Sequence, residues 1–263
     1  MAEKKQCQFK RFDESTMQTD AVVYLIGPRN TGKTTLLKHI MYHMRDKFDC
    51  GVAMCPTLDS QEGKGLESYI PHALVSSTYS TAKVREMLEY QRKYNDKNGK
   101  SKSRNLFCIL DDCMFDPKFL KTIEQREIHM NGRHRKIFLI NCTQHMMDIP
   151  NGLRGMIDYV IVLRNSIKSD RERLYKYFFG MFDTQSAFNS AMTKLTAGYS
   201  AMVLDKRIPT SNVEECVFWI EADTNLPPFR LCHEVYWKYT KRDYLRLMDQ
   251  KNEDGGCLKE VFL

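Results

Sequence analysis

A chain of 263 residues with 42% hydrophobic content is long enough to fill the core of one large α/β domain, alone or with a modest appendage. Its formal charge of +7 permits a polyanionic partner without requiring one. The sequence has no run of about 18 apolar residues, and the start MAEKKQCQFKRFDEST has no secretory apolar segment, so the expectation is a protein that stays in the compartment where it is made.

Residues 1–20 are polar and charged, and are expected to be a flexible or surface-laid lead-in. The stretch VVYLIGPRNTGKTT at 22–35 organises the rest of the chain. Val22 to Ile26 is a strand candidate, and Thr34 to Arg45 has helical spacing through Leu36, Leu37, Ile40 and Met44. Between them, Gly27, four residues and then Gly32-Lys33-Thr34 satisfy G-x-x-x-x-G-K-[ST], a phosphate-binding loop. Its two glycines let the backbone turn so that successive N–H groups converge on one anion. The helix start adds its positive end to the same point. Lys33 can then reach the β- and γ-phosphates, and the Thr34 hydroxyl is placed to ligate Mg²⁺. The nucleotide-binding set is Gly27, Pro28, Arg29, Asn30, Thr31, Gly32, Lys33, Thr34 and Thr35.

Gly51 to Cys55 reads as a second strand, ended by Pro56 and followed by a loop over 60–65. Ala73-Leu74-Val75 is a weaker strand candidate. Thr81 to Tyr94 carries Val84, Met87, Leu88 and Gln91 at helical spacing, with Ser80 as N-cap. Lys93 to Arg104, KYNDKNGKSKSR, has five basic residues against the single acid Asp96 and is expected to be an exposed loop. Lys97, Lys100, Lys102 and Arg104 could meet nucleic-acid phosphates, although such runs are more often simply solvated.

Leu106 to Leu110 is a continuous apolar run ending in Asp111-Asp112, the pattern of a buried parallel strand with carboxylates at its carboxyl end, where open α/β sheets bind ligands. As a Walker B element, Asp111 would hold the Mg²⁺ bound by Thr34, and Asp112 would orient or deprotonate the attacking water. Asp116-Pro117 predicts a helix start, with the helix running to about His129 and Asn131-Gly132 stopping it. Ile137 to Cys142 is a strand ending in Thr143-Gln144, and Tyr159 to Leu163 is another, ending in Arg164.

Two helices are expected over 171–196, then weaker strands at Ala201–Leu204 and Cys216–Ile220. The terminal stretch KYTKRDYLRLM reads first as a docked amphipathic helix and second as a binding element. Nine cysteines occur without C-x-x-C pairs. Cys50 and Cys55 have no second Cys/His pair nearby, so reduced thiols are expected in place of a zinc site. The organisation expected is a lead-in over 1–20, a P-loop domain over 21–206, and a C-terminal extension over 207–263 packed on it or continuing it.

GPRNTGKT, CILDD, NGRHRKIFLINCTQ and IPNGLRGMIDYVIVL, in this order and spacing, resemble the genome-packaging ATPases of large eukaryotic DNA viruses, which belong to the FtsK/HerA class of P-loop motors. The similarity covers about residues 20–165 and fades through about 205. It implies a RecA-like P-loop NTPase fold with a doubly wound, mainly parallel sheet and helices on both faces. It also implies ATP and Mg²⁺ as cofactors, and a homo-oligomeric ring that moves double-stranded DNA into a capsid during virion assembly. Capsid or portal-vertex proteins would be further partners, and the host cytoplasm or the virion the location.

Within that resemblance Gln144 matches the residue that senses the γ-phosphate. Arg133 matches an arginine acting across the subunit interface, with Arg126, Arg135 and Arg154 as competitors. Asp112 stands where many RecA-like ATPases carry glutamate. Two other classes use the same loop: a small-molecule kinase, whose lid Arg164, Arg171 and Arg173 could mimic, and a DNA-binding virion component without turnover.

Overall fold

The computed structural model describes residues 8–57, 63–99, 102–113, 119–144 and 149–238. After a two-residue strand β1 (Lys10–Arg11), β2 (Val22–Ile26) leads through the glycine-rich loop into α1 (Lys33–His43). β3 (Cys50–Met54), β4 (Val75–Ser76) and α2 (Thr81–Asn98) follow, then β5 (Leu106–Asp111), α3 (Ile123–Asn131) and β6 (Ile137–Thr143). The remainder is α4 (Asn151–Arg154), β7 (Tyr159–Val162), α5 (Lys168–Tyr177), α6 (Gln185–Leu195), β8 (Ser200–Asp205), α7 (Val213–Cys216), β9 (Val217–Glu221) and α8 (Glu234–Trp237).

The described strands form one nine-stranded sheet in the order β1-β9-β8-β7-β2-β6-β5-β3-β4. Strands β7, β2, β6, β5, β3 and β4 run parallel, and β8 pairs antiparallel with both β7 and β9. From β2 the chain steps outward past β6 and β5 to β3, and then returns through β5 to β6. Right-handed crossovers in opposite directions place α1 on one face and α2 and α3 on the other. Every residue of β2, β3, β5, β6 and β7 is buried, which is why these strands read as apolar runs without alternation. The weaker candidates after residue 200 are strands too, and β9, beyond residue 206, is hydrogen-bonded into the same sheet.

A buried polar chain links the P-loop strand to α3. The Tyr24 hydroxyl meets His129 Nε2 at 2.9 Å, His129 Nδ1 lies 2.6 Å from the Gln125 carbonyl, and Gln125 Nε2 donates to the Tyr79 hydroxyl at 3.1 Å. The Gln125 carbonyl can only accept, so Nδ1 carries the proton and Nε2 accepts from Tyr24. Burial pushes His129 down to about 4, because a charged imidazolium there would lose its hydration. The folded state therefore binds fewer protons than the unfolded chain between pH 4 and 6.5, and stability falls as pH drops through that window. The expected loss at pH 4.5 is at most about 3 kcal/mol. Denaturant unfolding at pH 7 and pH 4.5 should show a steeper acid loss for the wild type than for His129→Gln, whose amide does not titrate; equal losses would refute the assignment.

The structure corrects several expectations. From Lys10 onward the N-terminal segment is fixed to the fold and is not a flexible lead-in. β1 pairs with β9, Phe12 and Met17 are buried, and Glu14, 2% exposed, accepts from His39 Nε2 at 2.7 Å and from Arg11 at 2.9 Å. Because Asp223 N–H donates to His39 Nδ1, the other ring nitrogen carries the proton given to Glu14. The segment 93–104 is not all loop: α2 continues to Asn98, and Gly99 at φ +80° caps it. Gln91 Nε2 anchors that helix end to the carbonyls of Arg104 and Arg135, at 2.7 and 2.6 Å, which no local periodicity announces. α3 begins after Thr122, whose side chain accepts from Gln125 N–H. Asp116-Pro117, Lys100, much of the 60–65 loop and the terminal stretch after Lys238 lie outside the described residues.

Candidate functional site

The glycine-rich loop sits at the carboxyl end of β2, flanked by β6 on one side and β7 on the other. A Cβ on Gly27 would lie 2.8 Å from Thr31 Oγ1 and 2.9 Å from Leu163 Cβ, so only glycine fits there. Gly32 takes φ +95° directly before α1, and Asn30 φ +60°, which curls the loop back over the helix start. Thr31 Oγ1 donates to the Pro28 carbonyl at 2.8 Å. Lys33, 8% exposed, donates through Nζ to the carbonyls of Gly27 and Pro28 at 2.8 and 2.9 Å, so its ammonium is held inside the loop.

Two strands away, β5 ends at Asp111, which is buried. Burial and the adjacent Asp112 charge push its carboxyl up to about 6, while Lys33 pulls the other way, which places cation and acid in one electrostatic neighbourhood. Asp112 adopts φ +50°, a left-handed conformation that aspartate tolerates better than most residues, and its N–H donates to the Cys142 carbonyl at 3.1 Å. The turn redirects its side chain to the end of β6, where Gln144 Nε2 donates to Asp112 Oδ2 at 3.2 Å. Lys33, Asp111, Asp112 and Gln144 are thus brought to one edge of the sheet, as their strand-end positions predicted.

The residues present suit a Mg²⁺-bound nucleotide. Thr34 and Asp111 offer hard oxygen donors, and the Lys33 ammonium held in the loop is within electrostatic reach of Asp111. Another cluster of metal-type ligands, Glu14, His39 and His43, has its donor atoms within 4.8 Å of one another. Both nitrogens of His39 are already committed, to Glu14 and Asp223, which makes this a structural anchor. Cys55 lies 3.8 Å from Asp111, and burial pushes its thiol up to about 11.

The arginines are dispersed. Arg133 is at the opposite edge of the sheet, before β6, where Nη2 meets Asp158 Oδ1 at 2.5 Å. The other oxygen of Asp158 accepts from Val22 N–H at the start of β2. Arg135 is largely buried against Glu127 and the Leu88 carbonyl, and Arg154 stacks 3.9 Å over the Tyr177 ring. Arg126 is exposed on α3. Arg171 is tied to the Asn165 carbonyl and Thr193, and Arg173 lies by Asp170, which leaves Arg164 as the exposed member of the lid-like trio. In the basic segment, Arg104 packs over Tyr94 at 5.3 Å, while Lys97 and Lys102 are exposed. A residue that sequence reasoning missed is Tyr199, which lies against the loop at Gly32; a lone Gly-Tyr pair before a weak strand carries no motif signal.

No protein-family model matches the chain. It is 28% identical over 266 residues to an uncharacterized protein of Acanthamoeba polyphaga mimivirus, covering 96% of this chain and 93% of the other. A protein of Invertebrate iridescent virus 3 is 26% identical over 86% of the chain and 83% of its own length. Among solved structures, the genome-packaging NTPase B204 from Sulfolobus turreted icosahedral virus 2, in complex with ATP-gammaS, superposes at a TM-score of 0.53 with 18% identity, covering 80% of this chain and all of that one. EssC ATPases 2 and 3 from Geobacillus thermodenitrificans give 0.52 over 96% of this chain and 53% of theirs. The likeness to these structures is one of fold, and the nine-stranded, mainly parallel sheet with the glycine-rich loop at the end of β2 is consistent with a RecA-like α/β fold.

Proposed function

We propose that this chain is an ATP-hydrolysing motor that assembles as a homo-oligomeric ring and translocates double-stranded viral DNA into a capsid. The observation that carries the reading is the pairing of Gln144 with Asp112 beside the Lys33 loop. A carboxylate that orients water, held by an amide that can also meet the γ-phosphate, suits hydrolysis coupled to motion, whereas a kinase needs an acceptor site in its place. Viral sequence relatives and a fold shared with a packaging NTPase support the same reading.

The P-loop N–H groups and Lys33 would bind the phosphates, and Thr34 and Asp111 would hold Mg²⁺, which neutralises charge on the phosphate oxygens when bound. Asp112 would take a proton from the attacking water, and Gln144 would keep that carboxylate oriented while reporting the state of the γ-phosphate. Capsid or portal-vertex proteins are the expected further partners, at the viral assembly site in the host cytoplasm or in the virion.

The test is Mg²⁺-dependent ATPase activity with and without double-stranded DNA, combined with a mass measurement of the assembled species. Hydrolysis stimulated by DNA of unrelated sequences in a multimer is expected, since backbone contacts carry no sequence information. A monomer whose hydrolysis ignores DNA would overturn the motor and leave a plain NTPase.

A further inference from the structure

We infer that Tyr199 is the platform on which the base of the bound nucleotide stacks. This rests on the nucleotide-binding reading of the loop and adds the residue that grips the nucleoside end. The two flanks of the loop differ in chemistry. On the β6 and β5 side lie Asp111, Asp112 and Gln144, suited to the metal and the terminal phosphate. On the β7 and β8 side lie Leu163, Ile167 and Tyr199, and of these Ile167 is 50% and Tyr199 69% exposed. A nucleoside triphosphate with its γ-phosphate toward the acids must extend its base toward the apolar flank.

Tyr199 is placed for that contact by the backbone. β8 runs antiparallel to β7 with Met202 opposite Val162, so the residue preceding β8 arrives at the carboxyl end of β7, the edge that carries the loop. The turn that delivers it is closed by Ser200 N–H donating to the Ala197 carbonyl at 3.2 Å, with Gly198 at φ +62°. The ring then stands close to the loop, since a Cβ on Gly32 would lie 3.5 Å from Tyr199 Cδ1. Among the described residues neither the ring nor the hydroxyl of Tyr199 has an aromatic or hydrogen-bonding partner. A large, rigid aromatic left uncovered beside a phosphate cradle has a π-face to offer a base at low entropic cost.

The experiment measures dissociation constants of ATP and of inorganic tripolyphosphate for the wild type, Tyr199→Ala and Tyr199→Phe. Tyr199→Ala should weaken ATP about ten-fold, within the range that alanine substitution of base-stacking aromatics produces, and leave tripolyphosphate unchanged. Tyr199→Phe keeps the π-face and should bind ATP like the wild type. Equal weakening of both ligands would mean that Tyr199 merely shapes the loop, and no weakening of ATP would mean that the base lies elsewhere; either result overturns the inference with the loop intact. If the wild type binds neither ligand, the reading of the loop falls and this inference with it.

Discussion

Lys33→Ala is expected to lower ATP turnover by about 10²-fold or more and to weaken nucleotide binding as well. The ammonium is the cation buried within the loop, donating to the carbonyls of Gly27 and Pro28, and it is the charge that opposes the Asp111–Asp112 pair. Its loss removes the group that can follow charge onto the γ-phosphate, and it leaves two neighbouring carboxylates to repel the triphosphate. Asp112→Asn is the contrast, because it deletes one negative charge while asparagine accepts the left-handed backbone that Asp112 occupies. That variant should bind ATP normally and hydrolyse it slowly, a loss confined to turnover. Steady-state ATPase rates, nucleotide titrations and thermal unfolding of both proteins separate the cases. Full turnover in a folded Lys33→Ala protein would remove the loop from the reaction.

The parts legible in the sequence were those whose cause is local. β2, β5 and β6 are buried on both faces, so their apolar runs and the polar residues at their ends could be read directly, and Gly27, Lys33, Asp111, Asp112 and Gln144 lie where strand-end logic puts them. What was hidden depends on partners distant in sequence. Glu14 looks like one acid in a charged leader, and it is buried because His39, 25 residues on, donates to it. The last turns of α2 carry no apolar stripe, and they are held by Gln91 reaching the backbone of Arg104 and Arg135. The antiparallel reversal at β8 left no mark in its composition, yet it is this reversal that sets Tyr199 beside the loop.

Arg133→Ala should bind ATP with wild-type affinity and hydrolyse it about 10³-fold more slowly, or slower still, because an arginine finger meets charge that develops only during phosphoryl transfer. Its own loop is out of reach. Arg133 bonds Asp158, which also bonds the N–H of Val22, and the length of β2 separates that point from Gly27 by about 16 Å. On the ring reading, a direct contact with the transferring phosphate would therefore be made in a neighbouring subunit. The side chain is 55% exposed, so its ion pair with Asp158 is weak enough to exchange for a phosphate across an interface. Asp158 keeps its bond to Val22 in the variant, and the fold should survive. Mixing Arg133→Ala with Lys33→Ala tests the placement: each is inactive alone, but mixed rings contain interfaces that pair an intact loop with a neighbour's intact Arg133, and part of the activity should return. Unimpaired hydrolysis by Arg133→Ala would pass the role to Arg126, exposed on α3, or to Arg154. No recovery in rings shown to be mixed would mean either that Arg133 acts within its own subunit or that the ring fires only when every subunit is intact.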